Sequence, residues 1–431
     1  MGPALFARFA KDRRLDQVRQ TTQKLMGAQG EANAQSMAIR LIEQYEKLDA
    51  PQQLAFFEHL SQAFNPEPAK VKAVAEAYCA NPNAKNLSAL FQTVEPERQE
   101  LLRRINRAPN GTAAIVAMRR ALLPLLKSKP ELAAIDADMH HLLTSWFNPG
   151  FLELHQLTWD SPARLLEKLI QHESVHAIDG WDDLRRRLQP DRRCYAFFHP
   201  QLPDEPLIFV EVALVPSIST NVGVLIDKTA EVGAPKQFKA AIFYSISNCQ
   251  PGLRGVSLGN FLIKRVAQKL VDDIPGLKVF STLSPIPGFT HWLDAGAPLP
   301  RVTLPTARQR KLEAAKTLLG LPEARWEARL SAGWTPAQST EKEREALMGL
   351  CGLYLAHHTL QPHGDAVGKF HLSNGATLHQ INWAADVSKK GLRQSAGIMV
   401  NYLYELDRVE EQHEAFSQGQ LTVGKSMAKW T

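Results

Sequence analysis

One stretch of the sequence joins a strand, a turn and a helix, and it decides the fold of the larger part of the chain. Residues 240–270 read AAIFYSISNCQPGLRGVSLGNFLIKRVAQKL. The apolar run over residues 240–246 is typical of a buried strand. Residues 261–270 carry apolar side chains at helical spacing, which predicts an amphipathic helix. A strand that passes through a short turn into a helix favours an α/β architecture for this region.

The turn inside this stretch is a candidate binding site for an anion. It consists of Arg254, Gly255, Val256, Ser257, Leu258, Gly259 and Asn260. Free backbone N–H groups at a helix start, together with the positive end of the helix dipole, suit a group such as a pyrophosphate. An ordinary strand–turn–helix connection would show the same local pattern, so the residues alone leave both interpretations open.

The pattern of the sequence changes at residues 148–150, Asn-Pro-Gly. Residues 1–150 predict helices in series, which indicates an all-α bundle. Residues 151–431 alternate strand-like and helix-like segments, which predicts an α/β domain with a mixed sheet and a helical insertion. The predicted strands span residues 195–198, 207–215, 240–246, 277–283, 377–383 and 398–404. The predicted helices span residues 161–170, 261–270, 308–320 and most of 326–355, the first with Ser161 as its cap and Pro162 at its first position.

Length and composition limit the classes of protein that the chain can be. A chain of 431 residues predicts two or three domains, and 44% hydrophobic with 22% charged residues is typical of a soluble globular protein. The net charge of +6 is small for this length. It suits an anionic small ligand but not a nucleic-acid partner, which needs a dense basic surface. The absence of an apolar run of about 18 residues predicts that the protein has no membrane partner.

The cysteines and the first residues bear on the compartment. Cys79, Cys194, Cys249 and Cys351 lie far apart in the sequence, which predicts reduced, mostly buried thiols and no zinc cluster. Residues 1–16 have only a few apolar residues before charge resumes, unlike a secretory signal. We therefore expect a cytoplasmic protein.

Two short motifs match known sites without the context that those sites need. Residues 172–176 fit H-E-x-x-H, but the metzincin continuation fails at Asp179, and the bland interpretation is a polar stretch of a surface helix. Residues 419–426 fit G-x-x-x-x-G-K-[ST], yet no buried strand precedes them and only residues 427–431 follow. We interpret the first as no metal site and the second as a tail.

Two further blocks carry a family resemblance. Residues 280–289 read FSTLSPIPGF, and residues 370–376 read FHLSNGA. The turn at Arg254–Asn260 is also similar to the coenzyme A pyrophosphate loop of GNAT-type acetyltransferases, with Ser257 in place of the usual first glycine. Together these blocks resemble malonyl-CoA decarboxylase over nearly the whole chain. The resemblance implies a helical N-terminal domain followed by a GNAT-like mixed-sheet catalytic domain.

The resemblance also implies an activity and roles for three residues. The activity is conversion of malonyl-CoA to acetyl-CoA and CO2 through an enolate, and it needs no cofactor because the thioester is its own electron sink. The family assigns His371 as the proton donor to the new acetyl carbon, and Ser284 as its partner and proton acceptor. Tyr404 matches a further pocket residue, whose phenol would bond the malonyl carboxylate or the thioester. Family members assemble as tetramers through the helical domain, and this chain lacks the peroxisomal Ser-Lys-Leu ending of animal relatives.

Other interpretations of the chain stay open at this level. A GNAT-type acyltransferase that moves an acyl group from coenzyme A to an amine is the alternative enzyme, and a non-catalytic acyl-CoA sensor is the alternative from another class. Arg185–Arg187 and Arg192–Arg193 form a basic cluster in the sequence. Such runs are usually solvated faces, although this one would meet the 3′-phosphate of coenzyme A if it flanked the ligand.

Overall fold

The chain forms two compact units, each assembled from more than one segment. The computed structural model describes residues 3–256, 258, 262–299 and 304–430, with side chains from residue 13 onward. The first unit comprises Met1–Glu153, Phe198–Pro206 and Gln250–Leu258, and the second comprises Leu154–Phe197, Leu207–Cys249 and Gly259–Thr431. The predicted division into residues 1–150 and 151–431 stays a prediction.

The first unit is helical. Its helices are α1 (Pro3–Gly27), α2 (Glu31–Tyr45), α3 (Ala50–Ala63), α4 (Pro68–Ala80), α5 (Ala84–Val94), α6 (Glu97–Asn106), α7 (Gly111–Leu122) and α8 (Ala133–Trp146). Short 3₁₀ turns lie at Leu123–Lys127, Pro130–Leu132 and Pro149–Phe151. Helix α3 shows how these elements begin, because the Asp49 side chain accepts the Gln52 N–H while the Gln52 side chain accepts the Asp49 N–H. The prediction of a helical N-terminal region is confirmed.

The second unit contains one sheet. Seven strands form it within the described residues: β1 (Glu153–Leu157), β2 (Arg192–Phe198), β3 (Ile208–Val215), β4 (Ala240–Asn248), β5 (Val279–Thr282), β6 (Thr377–Asn382) and β7 (Met399–Tyr404). Their order is β1-β2-β3-β4-β5-β7-β6. Strands β2, β3 and β4 pair antiparallel, β4 and β5 pair parallel, and β7 pairs antiparallel with both β5 and β6. The predicted mixed sheet is confirmed, and its GNAT-like character stays a prediction.

The parallel pair in the middle of the sheet separates partway along. Pairing of β4 with β5 runs from Ala240↔Val279 to Phe243↔Thr282, and the Leu283 N–H donates to the Phe243 carbonyl at 3.0 Å. Strand β4 then continues to Asn248 along β3, whereas β5 ends at Thr282. Ligands of open α/β sheets bind beyond the carboxyl ends of strands where neighbouring strands part.

Further helices lie between the strands and after them along the chain. They are α9 (Ala163–His172), α10 (Gly180–Arg187), α11 (Gly223–Ile226), α12 (Leu262–Asp273), α13 (Phe289–Asp294), α14 (Thr306–Leu319), α15 (Trp326–Ser331), α16 (Glu341–Leu353), α17 (Ala366–Ser373), α18 (Lys389–Ser395) and α19 (Val409–Ser417). Further short turns lie at Pro235–Gln237, Pro251–Leu253, Pro336–Gln338, Tyr354–His358 and Lys425–Met427. Helix α9 begins one residue later than predicted, because Pro162 has extended backbone angles and forms the cap.

The six predicted strands are all present with shifted ends, and one strand lay outside the prediction. Strand β1 is mostly exposed, with only Leu157 fully buried. Its residues therefore lack the apolar alternation that marks a strand in the sequence. No helix among the described residues is long and apolar enough to cross a membrane.

Candidate active site

Ser284 lies just beyond the end of β5, and its backbone is fixed by the neighbouring strand. The Ser284 N–H donates to the Val400 carbonyl at 2.8 Å, and the Val400 N–H donates to the Ser284 carbonyl at 3.0 Å. Val400 belongs to β7, which also pairs with β5 through Phe280↔Tyr404. The chain is therefore held on the sheet beyond the last residue of β5, and the Ser284 side chain has a defined direction.

His371 sits in the last turn of α17. Its N-terminal cap is Asp365, whose Oδ1 accepts the Gly368 N–H at 2.7 Å. The helix ends at Ser373, and two residues later Gly375 has φ 78° and lies so close to Val409 that a side chain there would overlap the Val409 carbonyl oxygen. Only glycine fits this position, and so the Asn-Gly of the FHLSNGA block turns the chain into β6. The block thus ties His371 to a fixed distance from the sheet.

The structure brings three of the predicted site residues together. The Ser284 Oγ lies 3.0 Å from the His371 Nε2, and the His371 Nδ1 lies 2.9 Å from the Tyr404 hydroxyl. All three side chains are buried, at 5%, 3% and 2% exposure respectively. Residues more than eighty positions apart in sequence therefore form one continuous hydrogen-bonded group.

A fourth residue, Thr282, extends this group and was missed in the sequence. The Ser284 hydroxyl donates to the Thr282 Oγ1 at 2.9 Å, and the Tyr402 N–H donates to the same oxygen at 3.1 Å. The tyrosine ring of residue 402 stacks on the imidazole of His371, with centroids 4.7 Å apart and an angle of 26°. Thr282 precedes Ser284 by two positions, the spacing that places side chains on one face of extended chain, and this is the signal that would have found it. We call Thr282, Ser284, His371 and Tyr404 the hydroxyl–imidazole chain.

Burial keeps this chain uncharged. It lowers the pKa of His371 to about 3, because the imidazolium form would lose its hydration. It also raises the pKa of Tyr404 well above its ordinary value for the same reason. At neutral pH the imidazole is therefore neutral, with one N–H and one lone pair. Such a group can pass or hold a proton without a permanent charge in the site.

The predicted pyrophosphate loop is only partly described, and its described residues belong to the first unit. Arg254 and Gly255 are exposed, and Gly255 has φ 83°. Val256 and Leu258 are buried at 7% exposure. Ser257, Gly259 and Asn260 lie outside the described residues. The assignment of this loop to coenzyme A stays a prediction.

The carbonyls of this loop are tied to neighbouring helices of the same unit. The Arg119 guanidinium donates to the Gly252 and Arg254 carbonyls at 2.9 and 2.8 Å. The His140 Nε2 lies 3.0 Å from the Gly255 carbonyl oxygen, to which it donates. These contacts fix the backbone of the loop.

The basic cluster is not a solvated face, and that interpretation is wrong for three of its residues. Arg186, Arg187 and Arg192 are only 3%, 1% and 4% exposed. Their carboxylate partners, at 2.7 to 3.3 Å, are Asp183, Asp191 and Glu211. We call these six residues the arginine cluster. The carboxylates neutralise the guanidinium groups internally, which argues against a role in binding the 3′-phosphate.

The H-E-x-x-H segment is not helical beyond its first residue, so its expected placement on a surface helix is wrong. Helix α9 ends at His172. Glu173 is buried, and its carboxylate accepts the N–H groups of Val175 and His176 at 2.8 Å and the hydroxyl groups of Ser245 and Ser247 at 2.6 and 3.1 Å. The segment is therefore held against β4. No group of three or more potential metal ligands occurs among the described side chains.

The segment that matches a phosphate loop runs beside β6. The Leu378 N–H donates to the Thr422 carbonyl at 3.0 Å, and the Gly424 N–H donates to the Leu378 carbonyl at 2.8 Å. The Gly424 amide is thus used in pairing with the sheet. This agrees with the interpretation of residues 419–426 as a tail.

A buried serine–histidine pair beyond the end of a sheet strand is the arrangement of an enzyme site. Comparison with known proteins identifies the family. The model of the malonyl-CoA decarboxylase C-terminal domain matches residues 150–430, and that of its N-terminal domain matches residues 64–147. The chain therefore belongs to the malonyl-CoA decarboxylase family, a family of carboxy-lyases, and the resemblance inferred from the sequence is confirmed.

Individual relatives agree with this assignment. The mitochondrial malonyl-CoA decarboxylase of Anser anser anser is 36% identical over 334 residues, which cover 74% of this chain and 66% of the relative. That of Rattus norvegicus is 38% identical over 325 residues, covering 72% and 66%. The chain thus spans about two thirds of the length of these curated relatives.

Solved structures give the same result over nearly the whole chain. The crystal structure of malonyl-CoA decarboxylase from Rhodopseudomonas palustris has a TM-score of 0.84 and 42% identity, covering 96% of this chain and 99% of that one. The enzyme from Agrobacterium vitis has a TM-score of 0.80 and 40% identity, covering 96% and 99%.

Proposed function

We propose that this chain decarboxylates malonyl-CoA to acetyl-CoA and CO2. The observation that carries the proposal is the buried contact of 3.0 Å between the Ser284 Oγ and the His371 Nε2, in a chain that belongs to the malonyl-CoA decarboxylase family. Decarboxylation breaks the bond between the α-carbon and the carboxylate carbon. The electron pair of that bond passes to the α-carbon and the thioester oxygen as an enolate, and CO2 leaves. One proton must then be added to the α-carbon.

The hydroxyl–imidazole chain supplies the groups that these steps need. An enolate is stabilised by donors aimed at the thioester oxygen. The Ser284 hydroxyl, which donates to the Thr282 Oγ1 in this structure, becomes such a donor when it turns toward the bound thioester. The His371 imidazole supplies the proton to the α-carbon, and a positioned acid of this kind contributes about 10² to 10⁴ in rate. Ser284 is its partner in the proton transfer. Solvent returns one proton to the site in each turnover, because the reaction consumes one.

Burial of these side chains favours the loss of CO2. A malonyl carboxylate that enters a site lined by Ser284 and His371, at 5% and 3% exposure, exchanges its hydration for fixed dipoles of the protein. The thioester accepts the electron pair, so the proposed reaction needs no resident cofactor or metal. The proposed decarboxylation therefore depends on the thioester of the substrate as the acceptor of the electron pair.

The coenzyme A part of the substrate is assigned to Arg254–Asn260. The exposed guanidinium of Arg254 and the positive φ of Gly255 support this assignment, because a charged side chain and an exposed turn backbone suit a pyrophosphate. The separation of β4 and β5 beyond Phe243 supports entry of the acyl end near Ser284. Both assignments belong to the proposal.

We further propose a tetramer in a reducing compartment, the cytoplasm. Helix α5 carries an exposed apolar row, with Leu87, Phe91 and Val94 at 37%, 66% and 38% exposure. Apolar rows of this kind favour contacts between subunits. All four cysteines are free thiols, three of them buried, which is typical of a reducing compartment. Light scattering coupled to size exclusion measures the assembly directly.

The activity is tested by incubating the protein with malonyl-CoA and no acceptor. We expect CO2 and acetyl-CoA in equal amounts, and we expect Ser284→Ala to lose turnover while it retains coenzyme A binding. Ser281→Ala is the matched control, since Ser281 is a buried serine of β5 whose hydroxyl donates to the Tyr402 carbonyl at 3.1 Å. Absence of CO2 release would refute the decarboxylase, and acyl transfer to an added amine would favour the acyltransferase.

A further inference from the structure

The hydroxyl–imidazole chain has a direction, which follows from its first hydrogen bond. The geometry between Ser284 and Thr282 makes the Ser284 hydroxyl the donor and the Thr282 Oγ1 the acceptor, at 2.9 Å. The same oxygen accepts the Tyr402 N–H at 3.1 Å. The single proton of Ser284 therefore points toward Thr282 and away from His371.

The state of the imidazole follows from this. The Ser284 Oγ and the His371 Nε2 are 3.0 Å apart, and a hydrogen bond between them needs one proton. Since Ser284 has given its proton to the bond with Thr282, the Nε2 of His371 must carry the N–H and donate it. Burial lowers the pKa of His371 to about 3, so the ring has only one N–H. The Nδ1 is then a lone pair.

The Tyr404 end of the hydroxyl–imidazole chain agrees with an N–H on Nε2 and a lone pair on Nδ1. The Tyr404 hydroxyl lies 2.9 Å from the Nδ1, and a lone pair on Nδ1 accepts the phenol proton. The Tyr404, His371 and Ser284 protons are then each donated once and in the same direction, toward the Thr282 Oγ1. In the opposite tautomer the Nε2 is a lone pair. The hydrogen bond between Ser284 and the Nε2 would then need the serine proton that Thr282 already accepts.

We propose that Thr282 is a positioning residue that holds His371 in the Nε2–H tautomer, with Tyr404 as the matching donor at Nδ1. The importance of this tautomer rests on the proposed decarboxylation. In it, His371 presents an N–H on the side where Ser284 lies, ready to donate to the enolate. In the opposite tautomer the same position is a lone pair, which neither bonds an enolate oxygen nor protonates a carbon.

Two-bond proton–nitrogen spectra of the full chain labelled with ¹⁵N-histidine test the proposal. The protein has 14 histidines, and the resonances of residue 371 are those lost in His371→Asn. We expect a protonated Nε2 and an unprotonated Nδ1. In Thr282→Val the oxygen acceptor is removed while the shape is kept, so the two tautomers should mix. We expect kcat to fall about three- to tenfold, the ratio that one neutral hydrogen bond sets, with KM unchanged.

Two further variants separate positioning from folding. Thr282→Ser keeps the acceptor oxygen and should restore both the spectrum and kcat. Ser281→Ala removes the neighbouring buried hydroxyl, which donates to the Thr282 and Tyr402 carbonyls, and should leave the His371 tautomer and kcat unchanged.

A wild-type spectrum with the proton on Nδ1 overturns the proposal, and so does a Thr282→Val spectrum identical to that of wild type. The wild-type spectrum decides the tautomer even if Thr282→Val fails to fold. Because it needs no substrate, it also separates this inference from the proposed function. A protonated Nε2 in a protein that releases no CO2 would support the tautomer and refute only the decarboxylase.

Discussion

The hydroxyl–imidazole chain and the arginine cluster are both buried polar groups of the sheet-containing unit. They differ in the kind of interaction that stabilises their polar atoms away from water. The first consists of neutral groups linked in a row, and its imidazole is kept uncharged by burial. The second is built on ion pairs, in which Arg187 at 1% exposure donates to the carboxyl groups of Asp183 and Glu211, and burial raises the pKa of Glu211 to about 7.

The difference separates a group suited to chemistry from a group suited to structure. A row of neutral donors and acceptors can reverse its direction at small cost, because no charge is created. A buried ion pair cannot, because removal of either partner leaves an unpaired charge in a low-dielectric interior. We therefore expect changes in the first to reduce activity and changes in the second to reduce stability.

The largest effect is expected at His371. His371→Asn removes the proposed proton donor and should lower kcat by about 10² to 10⁴, while the protein still folds and binds coenzyme A. Steady-state CO2 release and far-UV circular dichroism measure the two properties. His141→Asn, at an exposed histidine of α8, is the control. Loss of folding together with activity would show that the hydroxyl–imidazole chain has a structural role. It would then no longer differ from the arginine cluster.

The next effect is expected at Arg187. Arg187→Met leaves Glu211 and Asp183 without their guanidinium partner and should lower the free energy of unfolding by about 3 to 5 kcal/mol. Urea denaturation measures this change. Arg185→Met is the neighbouring control, since that side chain is 61% exposed and should shift stability by no more than about 0.5 kcal/mol. Unchanged stability in Arg187→Met would mean that the cluster is not a structural one.

The next effect is expected at Tyr404, which the sequence predicted to bind substrate, whereas the structure places its hydroxyl 2.9 Å from the His371 Nδ1. Tyr404→Phe removes the donor to Nδ1 and should lower kcat about three- to tenfold with little change in KM. Tyr45→Phe, at another buried tyrosine in α2, should leave both constants unchanged. A rise in KM at constant kcat would instead support direct binding of the malonyl group or the thioester.

Much of the fold was predictable because its signals are local. The run at residues 240–246 and the amphipathic pattern at 261–270 gave β4 and α12, since strand and helix periods differ. Strand β1 was missed because its side chains are mostly exposed and its place at the sheet edge comes from pairing. The extent of each unit was not local either, as residues 198–206 and 250–258 join the helical unit.

The residues of the site could be predicted only from blocks of sequence that resemble a family. The hydrogen bonds that join these residues could not be predicted. Ser284 and His371 stood out in the SPIPGF and FHLSNGA blocks, but nothing local says that residues 87 positions apart meet. Thr282 was overlooked, because a hydroxyl in a strand is common and its role depends on the direction of one hydrogen bond. The arginine run was misjudged as exposed, since its partner Glu211 comes from another strand.

The smallest expected effect is on the pH dependence of the free energy of unfolding. The hydroxyl–imidazole chain and the arginine cluster should contribute to it with opposite signs. Burial lowers the pKa of His371 to about 3, so between pH 5 and 6 the unfolded chain binds the proton that the folded one excludes, and stability falls as pH falls. Burial, opposed by the Arg187 charge, raises the pKa of Glu211 to about 7. In the same window the folded chain holds that proton and the unfolded chain does not, so stability falls as pH rises.

Each group contributes a slope of about 1.4 kcal/mol per pH unit, with opposite signs. Against wild type, His371→Asn should therefore make the change in unfolding free energy from pH 5 to pH 6 more negative by about that amount, and Glu211→Gln should make it more positive. Urea titrations at the two pH values give both differences. Equal signs in the two variants would show that the hydroxyl–imidazole chain and the arginine cluster do not differ in the way that their burial implies.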